Sequence, residues 1–275
     1  MSWEAPQLAG TVALVTGASR GVGKGVALAL GDAGATVYVT GRTTVDEAAA
    51  AVSERGGRGI GVRVDHSDDA QVEALFARVR EESGRLDVVV ANAWGGYEDH
   101  DWQTFGAPFW EQPLSRWHTM FESGLRMQLT TARFAAPLLL EQQRGLIVLT
   151  GGWDDPHEYL GNLPYDLSKA GTSRLVATLA HELRPHGVAV VGVYPGFTRT
   201  EAVVGAYAAA GMEPPPETQS PELVGRAVAH LAADPELLTH TGTGAQASTY
   251  AERYGFADVD GSTPTRFAMP PENRL

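Results

Sequence analysis

The chain has 275 residues, 20% of them charged, with a net charge of −12 and no cysteine. That length is enough to bury a sizeable core, and the acidity argues against nucleic acid or an anionic membrane surface as the main partner. Without cysteine, a disulfide framework and thiolate zinc sites are both excluded.

The N-terminal residues "MSWEAPQLAG" lack the basic and apolar regions of a secretory signal, and no apolar run approaches the roughly 18 residues of a spanning helix. A cytoplasmic protein is expected. Apolar runs then alternate with helical patterns. "VALVT" (12–16) precedes a helix from about 21 to 33, and "TVYVT" (36–40) an Ala-rich helix at 44–55. "IGVRV" (60–64) precedes "DDAQVEALFARVREES", and "LDVVVAN" (86–92) a long helical region at 114–142. "GLIVLT" (145–150) leads to a helix at 163–184 and then to "GVAVVGVYP" (187–195). Continuous Val/Ile/Leu runs mark strands covered on both faces, so the fold class is α/β. Repeated βα units predict a doubly wound parallel sheet, a Rossmann-like three-layer sandwich forming one domain over 1–275. From Gly196 the pattern loosens. The Pro run in "AAAGMEPPPETQSPELVG" predicts a loop or lid over 196–220, then a helix near 221–233, and an irregular tail over 249–275.

The first strand breaks into a glycine loop at 16–23, with Gly17, Gly21 and Gly23. Glycine allows the tight turn and lets backbone N–H groups reach a pyrophosphate at the positive helix end. Following a clear strand in the first βαβ unit, the triplet predicts nucleotide binding, with Ser19, Arg20 and Val22 in the same turn. An NAD site usually carries Asp or Glu about 20 residues on. This chain has "TGR" there, with Arg42, and Arg20 adds a second cation. Two guanidiniums can pair with a 2′-phosphate, so NADP(H) is preferred over NAD(H); the alternative is a pair of solvated surface arginines.

"TGASRGVG", Asp65 after the third strand, "ANA" after the fourth, "YDLSK" and "PGFTRT" together resemble the short-chain dehydrogenase/reductase family over roughly residues 8–250. "PFWEQPLSRW", "HELRPHGV" and "ERYGFADVDG" are similar to a narrower subgroup of it. The resemblance implies that Asp65, with His66 beside it, faces the adenine, and that Asn92 and Ala93 line the cofactor ribose. Pro195, Gly196 and Thr200 would close over the nicotinamide. Tyr165 would be the catalytic acid/base, and Lys169 would lower its pKa and bind the nicotinamide ribose. Independently, Tyr165 and Lys169 share a helix face at i, i+4, and an ammonium favours a neighbouring phenolate that can give or take a proton.

Two members of the family's tetrad are absent. Glycine stands at both places, Gly152 for the serine and Gly124 for the asparagine. Removal of a serine-type donor can cost a few kcal/mol of transition-state stabilisation. Thr150 could supply a hydroxyl if the local geometry shifts, and Asp154, His157 and Tyr159 are alternative polar groups, or simply hydrated loop residues.

The loop at 94–117 leaves the sheet edge beside the expected nicotinamide position and is dense in aromatics: Tyr97, Trp102, Phe105, Phe109 and Trp110. With Trp94, Trp153 and Tyr159 it predicts a pocket for an apolar or aromatic small-molecule carbonyl substrate; Phe109 and Trp110 could equally cover the core or a subunit contact. Glu98, Asp99, His100 and Asp101 are adjacent and rarely converge on one ion, so no metal is expected. The expected activity is hydride transfer between nicotinamide and a carbonyl, enone or imine. A homodimer or homotetramer is expected, without nucleic acid or membrane. The rival is a catalytically degenerate NADP(H)-binding sensor or scaffold.

Overall fold

The computed structural model describes residues 3–96 and 104–275. Seven parallel strands form one sheet in the order β3-β2-β1-β4-β5-β6-β7. They are β1 (Val12–Val15), β2 (Thr36–Gly41), β3 (Arg58–Arg63), β4 (Val88–Ala91), β5 (Gly145–Thr150), β6 (Val188–Tyr194) and β7 (Gly244–Gln246). The central strands are buried along their whole length, as the continuous apolar runs require.

Helices cover both faces. On one side α1 (Gly21–Asp32), α2 (Val45–Glu54) and α8 (Pro221–Ala233) pack on Val15, Val37, Val90 and Val191. On the other, α3 (Asp69–Ser83), α5 (Arg126–Gln142) and α6 (Leu163–Leu183) pack on Leu14, Val89, Ile147 and Val190. Small residues set the closest approach: a Cβ on Gly25 would lie 2.3 Å from the backbone of Pro221, so α1 and α8 touch main chain to main chain. The predicted three-layer Rossmann-like sandwich is the observed architecture. Among the described residues no helix is long and apolar enough to cross a membrane.

The order β3-β2-β1-β4-β5-β6 places the crossover reversal between β1 and β4, and the carboxyl ends of these strands open into a cleft there. The entry to α5 is unusual. A single turn, α4 (Ser115–Trp117), runs into a π-helical stretch, His118–Leu125, before regular α-geometry begins at Arg126.

Two expectations need correction. The segment 196–220 is not all loop: Thr200 caps a helix, α7 (Glu201–Ala209), accepting from the Val203 N–H. None of its residues is buried, so it carries little of the amphipathic signal by which helices are read. Nor is 249–275 irregular throughout, because α9 (Ala247–Tyr254) occupies its start, with Tyr250 and Ala251 in the core.

Candidate active site

The cleft at the carboxyl ends of the strands has a volume of about 830 Å3. The turn after β1 forms one end. Gly17 and Gly21 adopt φ of 64° and 57°, left-handed values that favour glycine. A Cβ on Gly23 would lie 2.3 Å from the Gly17 carbonyl oxygen, so this residue backs the turn without reaching the cleft. Gly17, Ser19, Arg20, Gly21 and Val22 line it. The first amide of α1 already holds an anion: the Gly21 N–H donates to Glu201 Oε2 of α7 at 2.9 Å. A carboxylate oxygen on this amide shows that the turn accepts an anion at the helix N-terminus.

Arg42, at the end of β2, lines the same end and, like Arg20, is exposed. Asp65 lies opposite. Its Oδ1 accepts from the Ser67 N–H (3.0 Å) and hydroxyl (2.7 Å), and these bonds, with a smaller contribution from Arg42, hold its carboxyl below the usual range. His66 is buried beside it, its Nε2 2.8 Å from Thr40 Oγ1. The Thr40 hydroxyl proton goes to the Val15 carbonyl at 3.1 Å, so the imidazole donates through Nε2. Burial pushes its pKa down to about 4.

Asn92 ties three strand ends together. Its Nδ2 donates to the Thr16 and Gly17 carbonyls at 2.9 and 3.2 Å, and its Oδ1 accepts from the Thr150 hydroxyl at 3.1 Å. The Thr150 proton is thereby committed, so Thr150 does not take over the role of a serine at 152. Asn92, Ala93, Pro195, Gly196 and Thr200 all line the cleft.

Tyr165 and Lys169 rise from the first turns of α6, whose N-terminus is fixed by Asn162: its Oδ1 accepts from the Tyr165 N–H at 3.0 Å. Lys169 Nζ lies 4.9 Å from the Tyr165 ring centroid, and the two share the cleft. Lys169 is 7% exposed, and burial pushes its ammonium down to about 7. Its nearest ring is Trp94, whose centroid is 3.2 Å from Nζ. Trp94 also meets Tyr165 edge to face at 6.3 Å. Trp94, expected in the substrate pocket, lines the cleft and packs against the Tyr–Lys pair.

The glycines at 124 and 152 each lie against an aromatic ring. A Cβ on Gly124 would lie 2.5 Å from Trp94 Cζ3. A Cβ on Gly152 would lie 2.4 Å from Tyr194 Cε1 and 2.8 Å from Ser173 Oγ. Tyr194 sits in a socket of three glycines, since Cβ atoms on Gly192 and Gly244 would also strike its ring, at 2.5 and 2.4 Å. An aromatic ring therefore stands where each side chain would begin.

The other end of the cleft is apolar. Trp153 lines it, with its Nε1 donating to buried Glu158 at 3.0 Å. Phe267 meets Trp153 and Phe197 at ring separations of 6.0 and 5.9 Å, and Met269, Leu160 and α7 residues Val203 and Ala206 complete the wall. Phe267 and Met269 were missed because no local pattern points a tail at a distant site, and Phe197, beside Gly196, was read only as part of "PGFTRT". The tail is held by paired bonds between Phe267 and Gln246, at 2.9 and 2.7 Å, and by Arg266 on Asp154 at 3.0 Å. Asp154 thus faces the tail, and His157 is exposed. Tyr159 is not in the cleft lining; its backbone pairs with Asn273 instead. Tyr97, Trp102 and the run Glu98–Asp101 lie outside the described residues.

The family model for short chain dehydrogenases matches residues 11–210. Mouse dehydrogenase/reductase SDR family member 1 is 40% identical over 268 residues, spanning 92% of this chain and 84% of that protein. The crystal structure of a metagenomic short-chain oxidoreductase in complex with NADP is 25% identical, covers 96% of this chain and 99% of its own, and superposes with a TM-score of 0.68. A 7α-hydroxysteroid dehydrogenase crystallised with NADH and a 7-oxo bile acid shares the fold, with a TM-score of 0.74 at 21% identity, covering 94% of this chain and 96% of that one. Sheet order, glycine turn, the Tyr165–Lys169 pair and the match over most of the length agree: the chain belongs to the short-chain dehydrogenase/reductase family of oxidoreductases.

Proposed function

We propose that the protein is an NADP(H)-dependent reductase or dehydrogenase acting on an apolar or aromatic carbonyl, with Tyr165 as acid/base and Lys169 as its partner. The observation that carries this is the juxtaposition of the two side chains in a cleft whose opposite end is a glycine turn flanked by Arg20 and Arg42. The turn at Gly17–Gly23 would hold a pyrophosphate, Arg20 and Arg42 the 2′-phosphate, and Asp65 and His66 the adenine side. Asn92, Ala93 and Lys169 would take the ribose, and Pro195, Gly196 and Thr200 the nicotinamide. The cofactor supplies or accepts the hydride.

The chain's own task is the proton. Reduction of a carbonyl develops negative charge on its oxygen, and the Tyr165 phenol donates its proton there; oxidation runs the transfer backwards. The Lys169 charge favours the phenolate that remains. Trp153, Phe197, Phe267 and Met269 exclude water and present apolar surface to the rest of the substrate. With Gly152 in place of serine and the Thr150 proton spent on Asn92, a substrate whose double bond is already polarised, such as an enone or imine, suits the site best. A homodimer or homotetramer would use α5 and α6, where Leu129 and Leu167 are 47% and 44% exposed. The same two glycines favour a second reading, an NADP(H)-binding sensor or scaffold without turnover.

The test is NADPH oxidation in single-turnover mixing with aldehydes, ketones, enones and cyclic imines, wild type beside Tyr165→Phe. Oxidation by wild type alone supports the enzyme. Equal rates in both proteins would remove Tyr165 from the chemistry, and tight NADPH binding with no oxidation in any mixture favours the sensor.

A further inference from the structure

We infer that Trp94 is a positioning residue for Lys169: its indole holds the ammonium at the base of the cleft, in space opened by Gly124 and Gly96. The inference rests on the reading of Lys169 as the partner of Tyr165. Three observations point to it. The indole face lies 3.2 Å from Nζ, closer than the Tyr165 ring at 4.9 Å, so it is the nearer aromatic face to the charge. Two glycines make room for it, since a Cβ on Gly96 would lie 2.4 Å from the indole and one on Gly124 2.5 Å. Gly124 sits within the π-helical stretch His118–Leu125, and Ser123 beside it accepts the Gly95 N–H at 2.6 Å, which anchors the loop that carries the indole.

The arrangement has a physical logic. No salt bridge or hydrogen bond to Lys169 Nζ is formed within this chain among the described residues, and burial alone depresses its pKa. A charge so placed keeps its position only if something fixes it without neutralising it. A carboxylate would neutralise it and weaken its pull on the phenol. An aromatic face attracts the ammonium, fills the space that water would take, and leaves the net charge intact. Trp94 also touches Tyr165 edge to face at 6.3 Å, so one side chain sets both members of the pair.

The chain contains only two lysines, Lys24 and Lys169, which makes a direct test possible. The full-length protein, labelled with 13C at lysine Cε, gives two resonances, assigned with Lys24→Arg. In wild type the Lys169 methylene protons should lie well upfield of those of Lys24, under the indole ring current, and should titrate at lower pH. Trp94→Leu, which keeps bulk but removes the ring, should abolish both the upfield shift and the ring's stabilisation of the charge, so that Lys169 titrates lower still. Trp94→Phe should keep most of both. Gly124→Ala, which alters neither side chain but pushes on the indole, should move the Lys169 signal and leave that of Lys24 in place; it also serves if Trp94→Leu does not fold. On the substrate identified by NADPH oxidation, Trp94→Leu should slow hydride transfer tenfold or more, change the NADPH Kd less than threefold, and be largely rescued by Trp94→Phe. A Lys169 resonance that is the same in wild type and in Trp94→Leu or Gly124→Ala overturns the inference, as does a displaced resonance with full turnover. Failure of the enzyme reading shows separately, as wild-type silence or a fully active Tyr165→Phe, while the resonances still decide whether Trp94 holds Lys169.

Discussion

The structure predicts that Gly152→Ser overpacks the socket of Tyr194 instead of simply adding a hydroxyl. The new Cβ would lie 2.4 Å from Tyr194 Cε1 and 2.6 Å from Cζ, well inside van der Waals contact. Tyr194 is 2% exposed and is the last residue of β6, so neither its ring nor its backbone has room to retreat. Overpacking of this kind costs about 1–3 kcal/mol. For a chain of this size each kcal/mol lowers Tm by about 2–4 °C, so a fall of roughly 2–12 °C is expected, with no gain in turnover. Pairing the change with Tyr194→Leu should return more than half of the lost stability, because the leucine vacates the volume the serine enters. Differential scanning calorimetry of the wild type, both single variants and the double variant closes the cycle. A Gly152→Ser protein that melts with wild type, or a cycle with no coupling, would refute the claim that Tyr194 excludes a side chain at 152.

Other consequences are equally direct. Arg42→Ala should weaken NADPH binding by about 1.5 kcal/mol, the low end for a charged hydrogen bond at an exposed site, and leave NADH within twofold by fluorescence titration. Equal losses for both cofactors would dismiss the 2′-phosphate role. Glu201→Gln removes a carboxylate from the first amide of α1. Like charges about 4 Å apart in water repel by about 1 kcal/mol, so NADPH should bind about fivefold tighter, and weaker binding would contradict this. His66 is held neutral, with its folded pKa, about 4, below the unfolded 6.5. Its contribution is complete above pH 6.5 and is lost as pH falls towards 4, a total of roughly 3 kcal/mol. Urea unfolding of His66→Gln should show a flatter acid limb than wild type; parallel limbs would argue against this assignment.

Much of the glycine-turn end of the cleft was legible in the sequence because it is encoded locally. A strand, a glycine turn and a helix follow one another within about 20 residues, and Tyr165 and Lys169 share a helix turn. The apolar end was not. Phe267 and Met269 enter through a tail whose path is set by Gln246, Gln219 and Asp154, and no periodicity marks such contacts. Helix α7 escaped notice because it buries nothing, and its Glu201 reaches a partner 180 residues away. The glycines at 124 and 152 read as missing chemistry, whereas their meaning lies in Trp94 and Tyr194. An aromatic just beyond β4 (Trp94) and one at the end of β6 (Tyr194) were the available signal. Only folding shows which glycine each ring displaces.

The socket around Tyr194 also makes two distant positions interdependent. A full ring at 194 and a side chain at 152 compete for one volume. A side chain added at 152 overpacks the ring, and a smaller residue at 194 opens a void against Gly192 and Gly244. Substitutions at 152 and 194 therefore act as a pair, and neither has an effect that can be read without the other.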